Sequence, residues 1–179
     1  MTQPQPFEDQ VLPEGLVLRR AVAGDYETVL PLERLLFALH QKNRPDYFNA
    51  QGPGYSREAF DSLLAQPGSI AWVALLQGTL VGLCFGRLES IPASPLCGAR
   101  TIAYLEDLAV SPAYRGAGIG TALMAAAKSQ ASQAGAVSLE LCVWSFNQSA
   151  LRLYQKLGLQ IQFYQMELPL TGSAAPDQR

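Results

Sequence analysis

Long apolar runs are missing from this sequence, since none of its 179 residues lies in a stretch approaching the ~18 uninterrupted apolar residues that cross a bilayer. The N-terminus also lacks the basic and apolar segments of a secretion signal. We therefore expect a cytoplasmic protein, neither exported nor membrane-spanning. Basic runs are missing too, because 13 Lys and Arg stand against 15 Asp and Glu and no Lys/Arg block could neutralise a row of phosphates. Nucleic acid is not expected as the main partner.

Cysteine and histidine are scarce. The three cysteines, Cys84, Cys97 and Cys142, are odd in number and form no CxxC pair, so neither a disulfide framework nor a zinc site is predicted. This usage suits a reducing compartment, and no metal is expected. The single histidine, His40, is remote in sequence from the cysteines, so no thiol has an evident activating partner.

Apolar material is plentiful. Hydrophobic residues make up 49% of the chain and charged residues 16%, which excludes disorder of the whole, and the length fits one domain. Both ends are rich in proline, glycine or polar residues. We predict flexible arms at 1–15 and 169–179 around a folded domain at 16–168.

Apolar spacing divides the domain into antiparallel strands followed by an alternation of strands and helices. Gln77-Gly78 separates two strand-forming segments at the spacing of a tight hairpin. The order predicts a mixed α/β sheet with helices against it. The predicted strands are 16–20, 70–76, 79–88, 102–110, 137–144 and 159–168, and the predicted helices are 25–42, 56–66, 118–134 and 147–157.

The segment Tyr104–Gly120, which reads YLEDLAVSPAYRGAGIG, carries the clearest chemical signal. A strand ends there, and a glycine-rich loop opens a helix whose first N–H groups lack intrahelical partners. Such a helix start favours a phosphate or pyrophosphate. An NAD-type site is disfavoured, because Thr121 stands where the dinucleotide-binding motif needs its third glycine. The sequence also contains no G-x-x-x-x-G-K-[S/T] motif, so a nucleotide triphosphatase loop is absent.

The loop matches the R/Q-x-x-G-x-G/A signature and resembles the pyrophosphate loop of the GCN5-related N-acetyltransferases, the GNAT family. A second segment, from Leu139 through Asn147 and Tyr154 to Gly158, is similar to that family's later strand and helix. The wording of the first segment looks like the diamine and polyamine acetyltransferase branch. The resemblance implies a mixed, largely antiparallel sheet with helices on both faces, splayed beside the strand before the loop. A plain glycine-rich connection is the alternative for the loop.

The resemblance also implies acetyl-CoA as co-substrate. It places pantetheine along the strand backbone and pyrophosphate on the loop amides. Asn147 has an alternative role as the N-cap of its helix, and both roles can coexist. The implied cofactor-binding residues are Leu108, Ala109, Val110, Arg115, Gly116, Ala117, Gly118, Ile119, Gly120, Thr121 and Asn147.

Two residues are candidates for proton transfer, because amine acetylation needs a base for the amine and an acid for the departing thiolate. Glu106 shares strand parity with Tyr104 and Leu108, so we expect it among apolar neighbours that tune it as the base. An acid paired with a nearby arginine is the alternative. Tyr154 corresponds to the family's tyrosine near the cofactor sulfur and is the expected acid, or else an ordinary core aromatic.

The acceptor site is less well specified. His40, Asp46 and Phe48 cluster with Arg44 where many family members build the acceptor pocket, and Glu106 and Asp107 could attract a cationic amine. A helix end followed by a surface loop is the alternative. The expected function is direct transfer of acetyl to a primary amine of a small molecule such as a polyamine. Aminoglycosides, amino acids, peptide or protein amines, and a catalytically silent acyl-CoA-binding module stay open. The family often forms homodimers, although no residue here dictates an oligomer.

Overall fold

The computed structural model describes residues 11–49 and 54–170, so most of the two predicted arms lies outside the described residues. Two short 3₁₀ turns, Ala23–Asp25 and Pro112–Tyr114, precede α1 and α3. The strands are β1 (Leu16–Arg20), β2 (Ser69–Leu76), β3 (Thr79–Ile91), β4 (Arg100–Val110) and β5 (Ser138–Leu141), and the helices are α1 (Tyr26–Asn43), α2 (Arg57–Ala65), α3 (Ile119–Gln133) and α4 (Gln148–Lys156). None of the described helices combines the length and apolarity that a bilayer crossing requires.

The five strands lie side by side in chain order. β1 to β4 pair antiparallel, and β5 joins β4 in parallel through the α3 crossover. The predicted hairpin between β2 and β3 forms at Gln77-Gly78, where both residues take positive φ. The predicted fold class, a mixed and largely antiparallel sheet, is confirmed.

Helices cover both faces of the sheet, as predicted. On one face Val29 and Leu32 of α1 and Phe60 of α2 bury against β2 and β3. On the other, Leu123 and Ala127 of α3 bury against the sheet, and α4 adds residues from 153 to 157. The small alanine side chains of α3 let it lie close to the strands. The loops that carry the site therefore start from two separately packed layers.

One extra residue interrupts the pairing of β3 and β4. Phe85 lies opposite Asp107 and Gly86 opposite Leu105, so Glu106 has no partner on β3. Such a β-bulge shifts the alternation of the strand by one residue. Leu105 therefore shares a core face with Leu108 and Val110. The predicted common face of Tyr104, Glu106, Leu108 and Val110 is wrong because the bulge falls inside it.

β4 and β5 separate beyond the bulge. Their pairing covers Ile102 to Leu105 on β4 and ends at Leu141 on β5. The backbone edge of residues 106–110 that faces β5 is consequently left without a strand partner. This is the splayed sheet that the resemblance implied.

The last predicted strand, 159–168, does not form. Residues 160–170 have no regular structure, and Phe163, Met166 and Leu168 are exposed. β5 is also shorter than the predicted 137–144. Local alternation of apolar residues is not sufficient for a strand, because the ladder requires a neighbouring edge at the right place, and β5 does not extend far enough to offer it.

Gly86 allows the close approach at the bulge. A Cβ at this position would lie 2.3 Å from the Tyr104 carbonyl oxygen and 2.9 Å from Leu105 Cα. We expect Gly86→Ala to lower the free energy of unfolding by about 1–3 kcal/mol, because backbone has to move. Gly98→Ala, where a Cβ meets nothing within 4 Å, is the matched control. Urea unfolding of both variants checks this, and equal stability would contradict it.

Candidate active site

The start of α3 presents a row of free amides. Gly118 is its N-cap, and Gly116 and Gly118 both have φ near +80°. No carbonyl among the described residues accepts from the N–H groups of residues 116–121. A Cβ at Gly116 would meet nothing within 4 Å, so the loop has space in front of it. These residues fit a pyrophosphate group, which needs amide donors and close backbone approach.

The backbone edge of β4 leads away from this loop. Residues 106–110 have a free edge toward β5, and this is where Leu108, Ala109 and Val110 were expected to hold pantetheine. One group there is already engaged, since Arg115 Nε donates to the Val110 carbonyl oxygen at 3.2 Å. The structure thus brings the strand and loop portions of the predicted cofactor site into one continuous stretch.

Asn147 lies at the N-terminus of α4. Its Oδ1 accepts from the Ala150 amide at 3.3 Å and from Ser149 Oγ at 3.2 Å. The alternative role as an N-cap is therefore present in the structure. Its predicted role beside the cofactor stays a prediction.

Tyr154 faces the sheet from α4. Its ring packs against the core cluster of β2, β3 and α3, and its hydroxyl makes no hydrogen bond to another described residue. Burial, with the nearby thiol of Cys84 and carboxyl of Asp107, raises the pKa of Tyr154 to about 12. The hydroxyl is consequently neutral, and it is a free donor beside the strand that holds the predicted pantetheine edge.

Glu106 does not lie in the apolar setting that its strand parity predicted. It occupies the bulge, is exposed, and forms an ion pair with Arg87, which also pairs with Glu89. The alternative of an acid beside an arginine is what the structure contains. Its role as the base stays a prediction.

The three cysteines offer no activated nucleophile. Cys84 is fully buried, and burial followed by the Asp107 charge raises the pKa of its thiol to about 12. Cys97 and Cys142 are exposed. A thiol needs a lowered pKa to act as a nucleophile near neutral pH, so Cys84 has the opposite environment.

A second group of site residues surrounds Asp107, and two of them, Glu33 and Tyr55, were not singled out from the sequence. Glu33 of α1, Tyr55 and Asp107 line a cavity of about 310 Å³. Tyr55 donates a 2.7 Å hydrogen bond to Asp107 Oδ2, while Glu33 is 5% exposed and its Oε1 has no partner. The available signal was a lone glutamate on the apolar face of α1, next to Leu32 and one turn from Val29. Asp107 was expected, together with Glu106, to attract a cationic amine.

Burial raises the pKa of both carboxyl groups in the recess. Burial, followed by the charge of Asp107, raises the pKa of Glu33 to about 8. Burial also raises the pKa of Asp107, against the opposing effects of the Tyr55 hydrogen bond and of His40. Burial and the same carboxylates raise the pKa of Tyr55. The recess therefore disfavours the ionised form of its carboxyl groups, and Glu33 keeps its proton at neutral pH.

The predicted acceptor cluster is only partly assembled. His40 contacts Phe48 and Phe146, with ring centroids 5.2 and 5.8 Å apart, and Trp144 stacks on Phe146. These side chains form an aromatic wall between the end of α1 and the loop after β5. His40 Nδ1 lies 2.8 Å from the Leu36 carbonyl oxygen. The structure thus joins His40 and Phe48, and it adds two rings that the sequence analysis did not assign.

Asp46 is turned toward Arg44 instead. Arg44 is buried and holds Asp46 at 2.8 Å and Glu167 at 3.0 Å. Its guanidinium lowers the pKa of Asp46. The guanidinium also lies over the rings of Tyr47 and Trp144. Because the charge of Asp46 is neutralised by Arg44, this residue anchors the loop more than it attracts an amine.

Comparison with known proteins agrees with this geometry. The family model described as "Acetyltransferase (GNAT) family" matches residues 36–159, which is more than half of the chain. The chain belongs to the GNAT acetyltransferase family. The resemblance noted from the two sequence segments is confirmed.

Individual relatives agree in fold and vary in coverage. A mutant of the BH1408 protein from Bacillus halodurans superposes with a TM-score of 0.84 at 29% identity, covering 87% of this chain and 99% of that chain. The uncharacterized N-acetyltransferase YjgM of Escherichia coli (strain K12) is 26% identical over 153 residues, 85% of this chain and 86% of YjgM. Thialysine N-epsilon-acetyltransferase of Bos taurus is 42% identical over 57 residues, 32% of this chain and only 34% of that protein.

The raised pKa of Glu33 makes stability depend on pH. A carboxyl group whose pKa is higher in the folded protein stabilises it below the unfolded pKa, and this contribution is lost as pH rises through the folded pKa. For Glu33 the window runs from 4.5 to about 8. The free energy of unfolding should fall as pH rises across that window. In Glu33→Gln this decrease should be smaller, and the part that remains should come from Asp107, whose pKa is also raised.

Urea unfolding at a series of pH values measures this effect. Glu27→Gln, the same change at an exposed position of the same helix, serves as the control. It should keep the wild-type slope. If the free energy of unfolding of Glu33→Gln depends on pH as steeply as that of the wild type, the pKa of Glu33 is not raised by folding.

Proposed function

We propose that this protein transfers the acetyl group of acetyl-CoA directly to a primary amine of a small molecule. The observation that carries the proposal is the splay between β4 and β5, which leaves the edge of residues 106–110 unpaired just before the loop amides 116–121 that have no acceptor among the described residues. Tyr154 packs in the same core cluster as Leu108 and Val110 of that edge. Acetyl-CoA supplies an activated acyl thioester. The chain's own residues then have to hold it, orient the amine and move two protons.

Binding falls to the backbone. The amides at the start of α3, with the helix dipole, suit the pyrophosphate, and the free edge of Leu108 and Val110 suits the amide groups of a pantetheine arm. Arg115 lies at the rim of this loop and is exposed. Most of these donors are backbone groups, so only substitutions that block the approach should abolish binding.

Proton transfer falls to Tyr154 and to a carboxylate. With a pKa raised to about 12, Tyr154 stays neutral and donates a hydrogen bond to the charge that develops on the departing sulfur. Glu106 is the proposed base, acting through water from its exposed place in the bulge. Its ion pair with Arg87 fixes the position of its carboxylate on the exposed side of the bulge.

The acidic recess and the relatives both support a cationic amine as the acceptor. A carboxylate-lined cavity beside an aromatic wall suits a cationic amine. The partial match to a thialysine acetyltransferase, an enzyme named for an amine substrate, supports the same class. The resemblance of the Tyr104–Gly120 segment to the diamine and polyamine acetyltransferase branch makes polyamines candidate acceptors. The three cysteines, which form no CxxC pair, suit a cytoplasmic setting.

The test is release of free thiol from acetyl-CoA with a panel of polyamines, aminoglycosides, amino acids and peptides. Thiol release with a small amine, together with the acetylated product by mass spectrometry, supports the proposal. Acetyl-CoA binding without thiol release across the panel would instead support a silent acyl-CoA-binding module.

The loop assignment predicts a charge effect at Gly118. Gly118→Asp places a negative charge at the start of α3, so acetyl-CoA affinity should fall at least about tenfold relative to Gly118→Asn, which has nearly the same shape and also tolerates positive φ. Calorimetry on both folded variants measures this difference. Equal affinities would remove the pyrophosphate from this loop.

The acid assignment predicts a rate effect at Tyr154. Tyr154→Phe keeps the ring in the core, so stability and acetyl-CoA affinity should change little. Turnover should drop by roughly 10²–10⁴ if the hydroxyl is the acid, and by only a few fold if it merely orients the thioester. Single-turnover transfer at the wild-type rate would refute any role of the hydroxyl.

A further inference from the structure

The described part of the chain contains three buried charged side chains, and two of them are neutralised within the protein. Asp25 is held by Arg19 at 2.7 Å and Arg44 by Asp46 at 2.8 Å. Glu33 is as deeply buried, and no ion pair joins it to a described residue. A buried carboxyl group without a partner costs stability, whether it is ionised or, as its raised pKa favours at neutral pH, protonated.

A second carboxyl group increases that loss. Asp107 lines the same cavity, and its charge acts on Glu33. The Tyr55 hydroxyl donates to one Asp107 oxygen and provides no positive charge. Arg87, which also lies on the sheet, is engaged by Glu89 and Glu106. Within the described residues no cation is paired with Glu33 or Asp107.

We propose that this recess binds an ammonium group of the acceptor other than the one that is acetylated, so that the acceptor is a small dibasic molecule. The proposal rests on the proposed function. An ammonium has three donors and one positive charge, which matches the unpartnered Glu33 Oε1 and the Asp107 carboxyl group. The cavity of about 310 Å³ has room for such a group with part of an alkyl chain.

The position of the recess explains why the second nitrogen reaches the transfer gap. Asp107 precedes Leu108 on β4, and Leu108 lies opposite Cys84 and packs in the same core cluster as Tyr154, so the recess adjoins the side chains at the gap. A short flexible chain with one nitrogen at Glu33 can therefore place the other near the Tyr154 hydroxyl. A metal ion is a poorer occupant, because Ca²⁺ and Mg²⁺ require six or more oxygen ligands or bound waters, and no group of three or more metal-binding side chains occurs in residues 11–49 and 54–170.

Calorimetry with CoA present, where no transfer occurs, tests the site directly. The probes are α,ω-diaminoalkanes of three to six carbons and the monoamines of the same lengths. We expect the best diamine to bind wild type at least about tenfold tighter than its monoamine, and this preference to fall by roughly 10- to 100-fold in Glu33→Gln. Glu27→Gln should keep it. Equal binding of diamine and monoamine by wild type, or an unchanged preference in Glu33→Gln, would overturn the proposal.

Proton release provides a readout that a structural role of Glu33 would not produce. Since the pKa of Glu33 is raised to about 8, an ammonium bound beside it displaces a proton near neutral pH. The other titratable groups near the recess are Asp107 of β4, Tyr55 before α2, His40 of α1, Cys84 of β3 and Tyr154 of α4. Binding heats in two buffers of different ionisation enthalpy should show proton release by wild type that is reduced in Glu33→Gln. Identical proton release in the two proteins would contradict the assignment.

Turnover separates this inference from the proposed function. If diamines bind with the expected Glu33 dependence but no amine is acetylated, the recess stands and the transferase proposal fails. If monoamines and diamines are acetylated equally well by wild type and by Glu33→Gln, the transferase proposal stands and the recess does not select the acceptor. Thermal unfolding without ligand, measured above pH 8, controls for folding. There Glu33→Gln should be at least as stable as wild type, because it removes a buried charge that has no partner among the described residues.

Discussion

The extra residue in β4 is the constraint on which the site geometry depends. Because Glu106 has no partner on β3, the residues after it face opposite sides from those that a regular strand would give them. Asp107 then lines the recess against α1 and Tyr55, while Leu108 and Val110 continue the core against α3 and α4. Gly86 makes the bulge possible, since any side chain there would meet the backbone of β4. One inserted residue thus distributes the acidic and apolar side chains of β4 between the two layers.

Buried charge is balanced unevenly across the molecule. Arg44 joins its own loop to Glu167 and to the ring of Trp144, and each of these contacts stabilises the wall near the proposed acceptor site. Asp25 similarly anchors the start of α1 through Arg19 and the Val22 amide. Among the buried charged residues of segments 11–49 and 54–170, Glu33 is the one that lacks such compensation. Proteins generally retain an uncompensated buried charge where binding or catalysis uses it, at some cost in stability.

Much of the cofactor side of the site could be predicted from the sequence because it is local. The glycine spacing from Gly116 to Gly120 determines which amides are free, and a helix start follows from the residues beside it. Asn147 as an N-cap is local for the same reason. The acceptor side is not local. Glu33 and Asp107 are far apart in the chain, and only the packing of α1 on β4 brings them to one cavity.

The sequence by itself determined the order of the elements as far as α4, the hairpin at Gln77-Gly78, the glycine-rich start of α3 and the family, since each depends on neighbouring residues or on motif spacing. The tertiary structure decided which face of β4 each side chain occupies, because a bulge depends on pairing with another strand. It also decided that 159–168 forms no strand, since apolar alternation cannot provide a neighbouring edge. Finally, it decided that Glu106 pairs with Arg87 and that Glu33 has no partner, because burial and charge compensation are properties of residues brought together from distant parts of the chain.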